Sequence, residues 1–153
     1  MREILFRGKR IDNGEWVYGY YARKGADKES FRHYICVSTF SSDYQSNYTY
    51  PFYLYDYEVD PLTVGQCVSG LTDKNGKKIF EGDIVDITQY DNVHHKAYRC
   101  CRAKVFFSNF AFRTNAAPEY EDEEPLSYWF WHDCDFEVIG NIHDNPELLE
   151  VTP

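Results

Sequence analysis

Apolar and polar side chains alternate with a period of two along most of this chain, which predicts β-strands. The clearest pattern surrounds residues 73–76, with the sequence DKNG. Asn-Gly tolerates positive φ at both central positions of a tight turn, so a hairpin is predicted there. A second turn at residues 81–83 leads into an alternating strand at residues 84–89. Two turns and two strands are therefore expected within a short stretch of chain.

A further hairpin is predicted at residues 3–21, where Asp12, Asn13 and Gly14 form a turn between two alternating arms. The first arm is basic through Arg2, Arg7, Lys9 and Arg10. We interpret these charges as protection of an exposed sheet edge, with anion binding as the alternative. The second arm carries Trp16, Tyr18 and Tyr20 on one face.

Other alternating segments predict strands at residues 31–37, 52–59, 98–107, 110–113 and 136–142. In the strand at residues 98–107, the core is expected to lie on the side of Cys101, Ala103, Val105 and Phe107. Residues 126–131 are apolar without a period, which fits a strand or a buried turn. Asn145 and Pro146 match the N-cap and first position of a short helix, which Leu148 and Leu149 would hold as a lid.

Composition supports a mainly β fold, α+β by strict count. Aromatic residues make up 18% of the chain, with 14 Tyr and 11 Phe. Flat rings pack well on a pleated surface, and tyrosine can keep its hydroxyl in water. The 153 residues fit a single domain. Within it we distinguish a β-rich part at residues 1–58 from a second part at residues 59–153.

Three segments carry a resemblance to a known family. They are REILFRGKRIDNGEWVYGY at residues 2–20, GLTDKNGKKIFEGDIV at residues 70–85 and VIGNIHDNPELLE at residues 138–150. Together they resemble the YopX family of small phage and prophage proteins. The resemblance implies a β-rich fold whose second part is a small SH3-like barrel, encoded by a phage or an integrated prophage. It implies no catalytic activity.

The net charge of −9 disfavours binding to polyanions such as nucleic acid. No targeting segment or membrane span is recognisable, so we expect a protein of the bacterial host's cytoplasm with no membrane partner. Five cysteines form an odd number without regular spacing, which fits reduced thiols.

No catalytic, cofactor-binding or metal-binding residues are predicted. Adjacent Cys100 and Cys101 would point to opposite faces of a strand, and only His132 and Cys134 share a face by spacing. No thiol is placed beside a base, and no glycine-rich phosphate loop occurs. Glu81 and Asp83 flank a glycine, which favours a turn over acid–base chemistry.

Charge is distributed unevenly along the second half of the chain. Lys96, Arg99, Arg102 and Lys104 form a basic segment, whereas residues 118–137 carry eight acids and no base. The acidic segment could fold onto the basic strand, meet a second copy head to tail, or mimic a polyanion. The predicted interaction surface combines these charges with loop tyrosines: Arg99, Arg102, Lys104, Glu121, Asp122, Glu123, Glu124, Tyr44 and Tyr48.

These features favour a non-enzymatic module that binds a protein partner or assembles with itself. A second hypothesis is a nucleic-acid-binding barrel, in which Arg99, Arg102 and Lys104 contact phosphates while Trp16 or its neighbouring tyrosines stack on bases. A third is an unrecognised hydrolase that uses cysteine or histidine.

Overall fold

The computed structural model describes residues 4–26, 30–39, 53–91, 96–115 and 123–150. The chain is divided into two compact units, Met1–Gln66 and Cys67–Pro153. Both units consist mainly of antiparallel strands, which confirms the mainly β prediction. The division of one domain after residue 58 stays a prediction.

Four strands and the start of a fifth form the sheet of the first unit. They are β1 (Phe6–Lys9), β2 (Trp16–Lys24), β3 (Arg32–Thr39), β4 (Tyr53–Glu58) and the first residues of β5 (Gly65–Thr72). Their order is β4-β3-β2-β1-β5, and each neighbouring pair is antiparallel. A 3-10 helix at Pro61–Thr63 precedes β5. The Asp60 side chain caps it by accepting a hydrogen bond from the Leu62 N–H at 3.0 Å.

The predicted first hairpin is confirmed. β1 pairs with β2 so that Lys9 lies opposite Trp16. The turn between them is closed by a hydrogen bond from the Arg10 N–H to the Glu15 carbonyl at 2.9 Å, and Gly14 adopts a φ of 73°. β2 continues to residue 24, further than expected, because its last residues pair with β3.

The basic strand β1 is an interior strand. On its other side it pairs with β5, with Arg7 opposite Gly65. The interpretation of Arg7 and Lys9 as protection of a sheet edge is therefore wrong, because β1 pairs with β2 on one side and with β5 on the other. The pairing partner responsible for this, β5, lies more than 50 residues along the chain, which no local pattern could reveal.

The second unit contains the rest of β5 and most of the remaining secondary structure. Its elements are β6 (Lys78–Phe80), β7 (Asp83–Asp91), β8 (Lys96–Ser108), β9 (Ala111–Asn115), β10 (Glu123–Pro125), α1 (Leu126–Trp131), β11 (Cys134–Asn141) and a 3-10 helix at Pro146–Leu149. Five strands form an antiparallel sheet in the order β10-β9-β8-β7-β11. β5 and β6 form the predicted hairpin, with Gly76 of its turn at a φ of 81°.

The core of the second unit lies where the alternation of β7 and β8 predicts it. Its buried side chains include Val85, Ile87, Cys101, Ala103, Val105, Leu126 and Phe136. Trp129 of α1 packs against this core, and its indole N–H donates a hydrogen bond of 2.8 Å to the hydroxyl of buried Thr114. The helix is thus held to the sheet by both apolar and polar contacts.

Three local expectations for the second unit are corrected. Phe107 was assigned to the core side but is 51% exposed, because β8 runs past the edge of the core. Residues 126–131 form a helix, not a strand or turn. Asn145 provides no side-chain cap for the last helix. Its side-chain oxygen Oδ1 instead accepts a hydrogen bond from the backbone N–H of Asn141 at 3.4 Å.

The SH3-like barrel implied by the family resemblance is not confirmed. In the described part of the second unit, β10 and β11 lie at the two ends of an open sheet, and no closed barrel is formed. The predicted short C-terminal helix is present as the 3-10 helix at Pro146–Leu149, and its role as a lid stays a prediction.

Candidate interaction surface

The basic residue Arg102, predicted to contact a partner, is engaged within its own unit. Its Nε lies 2.8 Å from Oδ1 of Asp86, the residue opposite it on β7. One guanidinium nitrogen also donates to the Leu148 carbonyl at 3.1 Å. The hydrogen bond with Asp86 raises the pKa of Arg102 despite the opposing effect of burial. Arg102 therefore links the C-terminal 3-10 helix to the sheet, and its charge is balanced by Asp86.

The other predicted surface residues are only partly placed. Lys104 lies on β8 with its Nζ 5.5 Å from the centre of the Phe106 ring. The backbone of Arg99 pairs with Thr88, and Glu123 and Glu124 form part of β10. Four predicted residues lie outside the described part of the chain, namely Tyr44, Tyr48, Glu121 and Asp122. Contact between the acidic segment and the basic strand therefore stays a prediction.

A different surface is visible on the first unit. Because side chains alternate along each strand, pairing in register places one set of aromatic and charged residues on a common face of the sheet. We call this set the aromatic face. It consists of Arg7, Lys9, Trp16, Tyr18, Tyr20, Lys24, Arg32, Tyr34, Cys36, Asp56 and Glu58.

At one end of the aromatic face, two bases flank an indole ring. The Arg7 guanidinium lies 4.7 Å from the centre of the Trp16 ring, and the Lys9 ammonium lies 5.7 Å from it. Both distances are within the range of cation–π attraction. Tyr18 and Tyr20 follow along β2 and are 48% and 52% exposed. Arg7 itself is buried, so this end of the face presents amphipathic rings next to the half-buried Lys9.

At the other end, acids on β4 neutralise the bases. Lys24 pairs with Asp56, and Arg32 lies 3.2 Å from Glu58. The Lys24 ammonium also lies 5.3 Å from the Tyr34 ring. The whole face carries four bases and two acids, so its charge is positive although that of the protein is negative.

Cys36 lies on the aromatic face beside Asp56. Burial raises the pKa of its thiol, and the hydrogen bond with Asp56 raises it further. A thiol must lose its proton to act as a nucleophile, so this environment works against activation of Cys36.

The opposite face of the same sheet contains the buried apolar side chains of the first unit. Ile35 and Val59 are fully buried there. The Tyr21 hydroxyl shares a hydrogen bond of 2.5 Å with Nδ1 of His33, and the ring of Phe6 packs 5.6 Å from that of Tyr21. Phe6 and Tyr21 therefore pack on this side of the sheet, whereas Tyr55 on the same side is 52% exposed.

Histidine and cysteine are not gathered into a site in the described ranges. His132 follows α1 in a turn and Cys134 begins β11, so the strand face predicted for this pair is not formed. His94 and His95 lie outside the described residues. No group of three or more potential metal ligands occurs in the part of the chain that the structure describes. Nor does any described helix have the length and apolar character needed to cross a membrane.

The predicted turn role of Asp83 is confirmed. Its carboxylate is buried and accepts a hydrogen bond of 2.8 Å from the Phe80 N–H. Glu81 accepts one of 3.3 Å from the Phe107 N–H. These two acids therefore stabilise the backbone around the turn at residues 81–83.

The aromatic face was only partly recognised from the sequence. The alternation of Trp16, Tyr18 and Tyr20 predicts part of this face, whereas the sequence favours edge protection for Arg7 and Lys9. The register of the first hairpin could have placed these two basic residues beside the aromatic ones, because residues equally distant from the turn lie opposite each other. Counting back from that turn places Lys9 opposite Trp16.

A family model described as YopX protein matches residues 5–150. The chain belongs to the YopX family. A solved structure with a similar fold is that of protein EF1440 from Enterococcus faecalis. It is 24% identical, with a TM-score of 0.55, and the match covers 98% of this chain and 100% of that one. No curated protein sequence matches the chain. Membership in the YopX family supports the fold and assigns no activity.

Proposed function

We propose that this YopX protein is a non-enzymatic protein-interaction module, encoded by a phage or prophage and acting in the cytoplasm of the bacterial host. Its aromatic face binds the protein partner. The observation that carries this proposal is the row of Trp16 and the exposed Tyr18 and Tyr20 beside Lys9, with the buried guanidinium of Arg7 packed against the Trp16 ring. Trp and Tyr are among the residue types most enriched among those that dominate binding energy at protein interfaces.

The chemistry of the aromatic face suits adaptable protein binding. A tyrosine has few rotatable bonds, so it provides a large contact area for little loss of conformational entropy. The excess of two bases over acids on the face favours a partner surface that carries carboxylates. Such a surface requires no activated nucleophile, in agreement with the raised pKa of the Cys36 thiol.

Nucleic-acid binding is the second candidate. Aromatic rings next to basic side chains also suit single-stranded nucleic acid, because the rings can stack on nucleobases while the basic side chains attract the phosphates. The first unit has eight basic and nine acidic residues, so most of the protein's negative charge belongs to the second unit. The net charge of the whole protein therefore argues less strongly against this candidate than the sequence suggested.

The test compares tagged wild-type protein with a double variant, Tyr18→Ser with Tyr20→Ser, in capture from host cells followed by mass spectrometry. Tyr55→Ser is the matched control, because Tyr55 is 52% exposed but lies on the opposite face of the sheet. We expect the double variant to recover at least about tenfold less partner, corresponding to loss of strong contact residues. If all three proteins recover equal amounts of partner, the aromatic face is excluded as the binding surface.

Nuclease treatment and a salt titration separate the two candidates. A protein partner should remain bound after nuclease treatment. Binding to nucleic acid should instead weaken steeply with rising salt, because phosphate contacts release counterions. Binding of a labelled single-stranded oligonucleotide at low salt, lost in the double variant, would favour the second candidate over the first.

A further inference from the structure

The hairpin between β8 and β9 ends in an unusual turn. Ser108 pairs with Ala111, which leaves Asn109 and Phe110 as the two turn residues. Their φ angles are 48° and 64°. Two-residue hairpin turns with both φ positive favour Asn-Gly, because only glycine adopts this backbone without a steric cost. Asn109 suits its position, whereas a bulky phenylalanine at the second position is strained.

Phe110 gains no burial in return for this strain, since it is 99% exposed. Phe107 is 51% exposed and packs edge-on against Phe112, with the ring centres 5.2 Å apart. We call these three residues the hairpin tip. An exposed apolar ring held in an unfavourable backbone conformation is a feature that local stability does not explain, and such features are found at functional contacts.

The aromatic face offers a surface that fits the hairpin tip. Trp16, Tyr18 and Tyr20 provide rings against which a phenylalanine can pack edge-on or offset. The tip belongs to the second unit, which has eight basic and sixteen acidic residues, whereas the aromatic face has an excess of bases. The net charge of the second unit is therefore opposite in sign to that of the aromatic face, which favours their approach.

We propose that the hairpin tip of one molecule binds the aromatic face of a second copy, so that the protein self-associates head to tail. This inference rests on the proposed function of the aromatic face and names a second copy of this chain as its partner. A head-to-tail contact uses two different surfaces, so each molecule keeps one of each available for another copy. It produces rings or filaments according to the rotation between neighbours.

Charge favours a second copy of this chain over an acidic lipid surface or a nucleic acid as the partner of the hairpin tip. A lipid bilayer with acidic headgroups or a nucleic acid would approach the hairpin tip against the negative charge of the second unit. Near the tip itself, Glu81 accepts a hydrogen bond from the Phe107 N–H, and Arg113 donates one to the Ser108 carbonyl at 3.3 Å. Glu81 and Arg113 thus bring one charge of each sign to the backbone around the tip.

The first experiment measures the mass of the purified protein by sedimentation and light scattering, from roughly micromolar to millimolar concentration. Wild type is expected to form larger species as concentration rises. Phe110→Gly should weaken this association at least about tenfold, as expected for loss of a dominant contact residue. The same variant should unfold at a temperature about 2–4 °C higher, because glycine relieves the strained turn. Loss of association together with higher stability excludes misfolding as the cause.

The second experiment mixes two variants that each lack one surface. Phe110→Gly keeps the aromatic face, and the double variant Tyr18→Ser with Tyr20→Ser keeps the hairpin tip. At a concentration where wild type has just become associated, each variant alone should be monomeric. A mixture should give a 1:1 dimer and nothing larger, since only one productive contact remains. Tyr55→Ser should associate as wild type does.

The outcomes separate this inference from the proposed function. Monomeric wild type at all concentrations, unchanged association of Phe110→Gly, or a mixture that stays monomeric would each overturn head-to-tail association. In any of these cases, partner capture that still depends on Tyr18 and Tyr20 would uphold the aromatic face as a protein-binding surface. If the tyrosine variant also captures the partner normally, both proposals fail.

Discussion

Replacement of Asp73, a buried acid in the β5–β6 turn, should destabilise the second unit. One carboxylate oxygen accepts hydrogen bonds from the Asn75 and Lys77 N–H groups, both at 2.8 Å. The other accepts one of 3.2 Å from the Val138 N–H on β11. The Lys74 N–H adds a bond of 2.8 Å to the Phe136 carbonyl. A single buried side chain thus shapes the β5–β6 turn and ties it to the outer edge of β11.

The expected loss follows from these three bonds. Each buried N–H that loses its acceptor costs about 1–3 kcal/mol. Asn75 and Lys77 are exposed, so water can partly replace the acceptor at the turn. For Asp73→Ala we therefore expect the free energy of unfolding to fall by about 3–5 kcal/mol, near the lower end of the summed cost of the three hydrogen bonds. Asp73→Asn keeps an acceptor oxygen without its charge and should lose about 1–2 kcal/mol.

The same bonds make stability depend on pH. Burial acts to raise the pKa of Asp73, but hydrogen bonds from the backbone of Lys77, Val138 and Asn75 outweigh it, and the pKa lies below its usual range. A lowered pKa in the folded state means that the contribution of Asp73 is complete above the usual aspartate pKa. It is lost as pH falls through the lower, folded-state value. Asp73→Asn should reduce the loss of stability in acid.

The assay combines urea unfolding at neutral and acidic pH with hydrogen exchange at the Val138 amide, which reports on the β11 contact directly. Asp135→Ala is the control, because Asp135 lies on the same strand but is exposed. It should change stability by less than about 0.5 kcal/mol. The reasoning is refuted if Asp73→Ala unfolds within about 1 kcal/mol of wild type and the Val138 amide remains protected.

Three further substitutions test the packing of the two units. Gly19→Ala should cost about 3 kcal/mol in a denaturant titration, because its Cβ would lie 2.3 Å from the Cys36 carbonyl oxygen; a cost near zero would mean that β2 and β3 can move apart. Trp129→Phe should cost about 1–3 kcal/mol by leaving the buried Thr114 hydroxyl without its indole donor, and adding Thr114→Val should recover part of that loss. Gly76→Ala should destabilise the protein by about 1–2 kcal/mol through the strain of φ 81° alone, since nothing lies within 4 Å of the added Cβ. The thermal midpoint should fall accordingly, and an unchanged midpoint would show that the turn relaxes.

Features that depend on neighbouring residues were predictable. Asn-Gly and Asp-Asn-Gly form turns because glycine permits positive φ wherever it occurs in the chain. Cys101, Ala103 and Val105 are buried because side chains two residues apart share a face of a strand. Residues 126–131 gave no such signal, because a run of aromatic residues has no period, and their helix forms where Leu126 and Trp129 reach the core.

The sequence by itself determined the strands, the hairpin turns and the mainly β class, since turn preferences and period-two alternation act over a few residues. Only the tertiary structure decided that β1 is an interior strand, that Arg102 pairs with Asp86, and that Phe110 is left fully exposed. Each of these depends on which distant strand lies alongside, or on where the core ends. The energy of such pairings comes from contacts between residues far apart in the chain, so no local pattern specifies them.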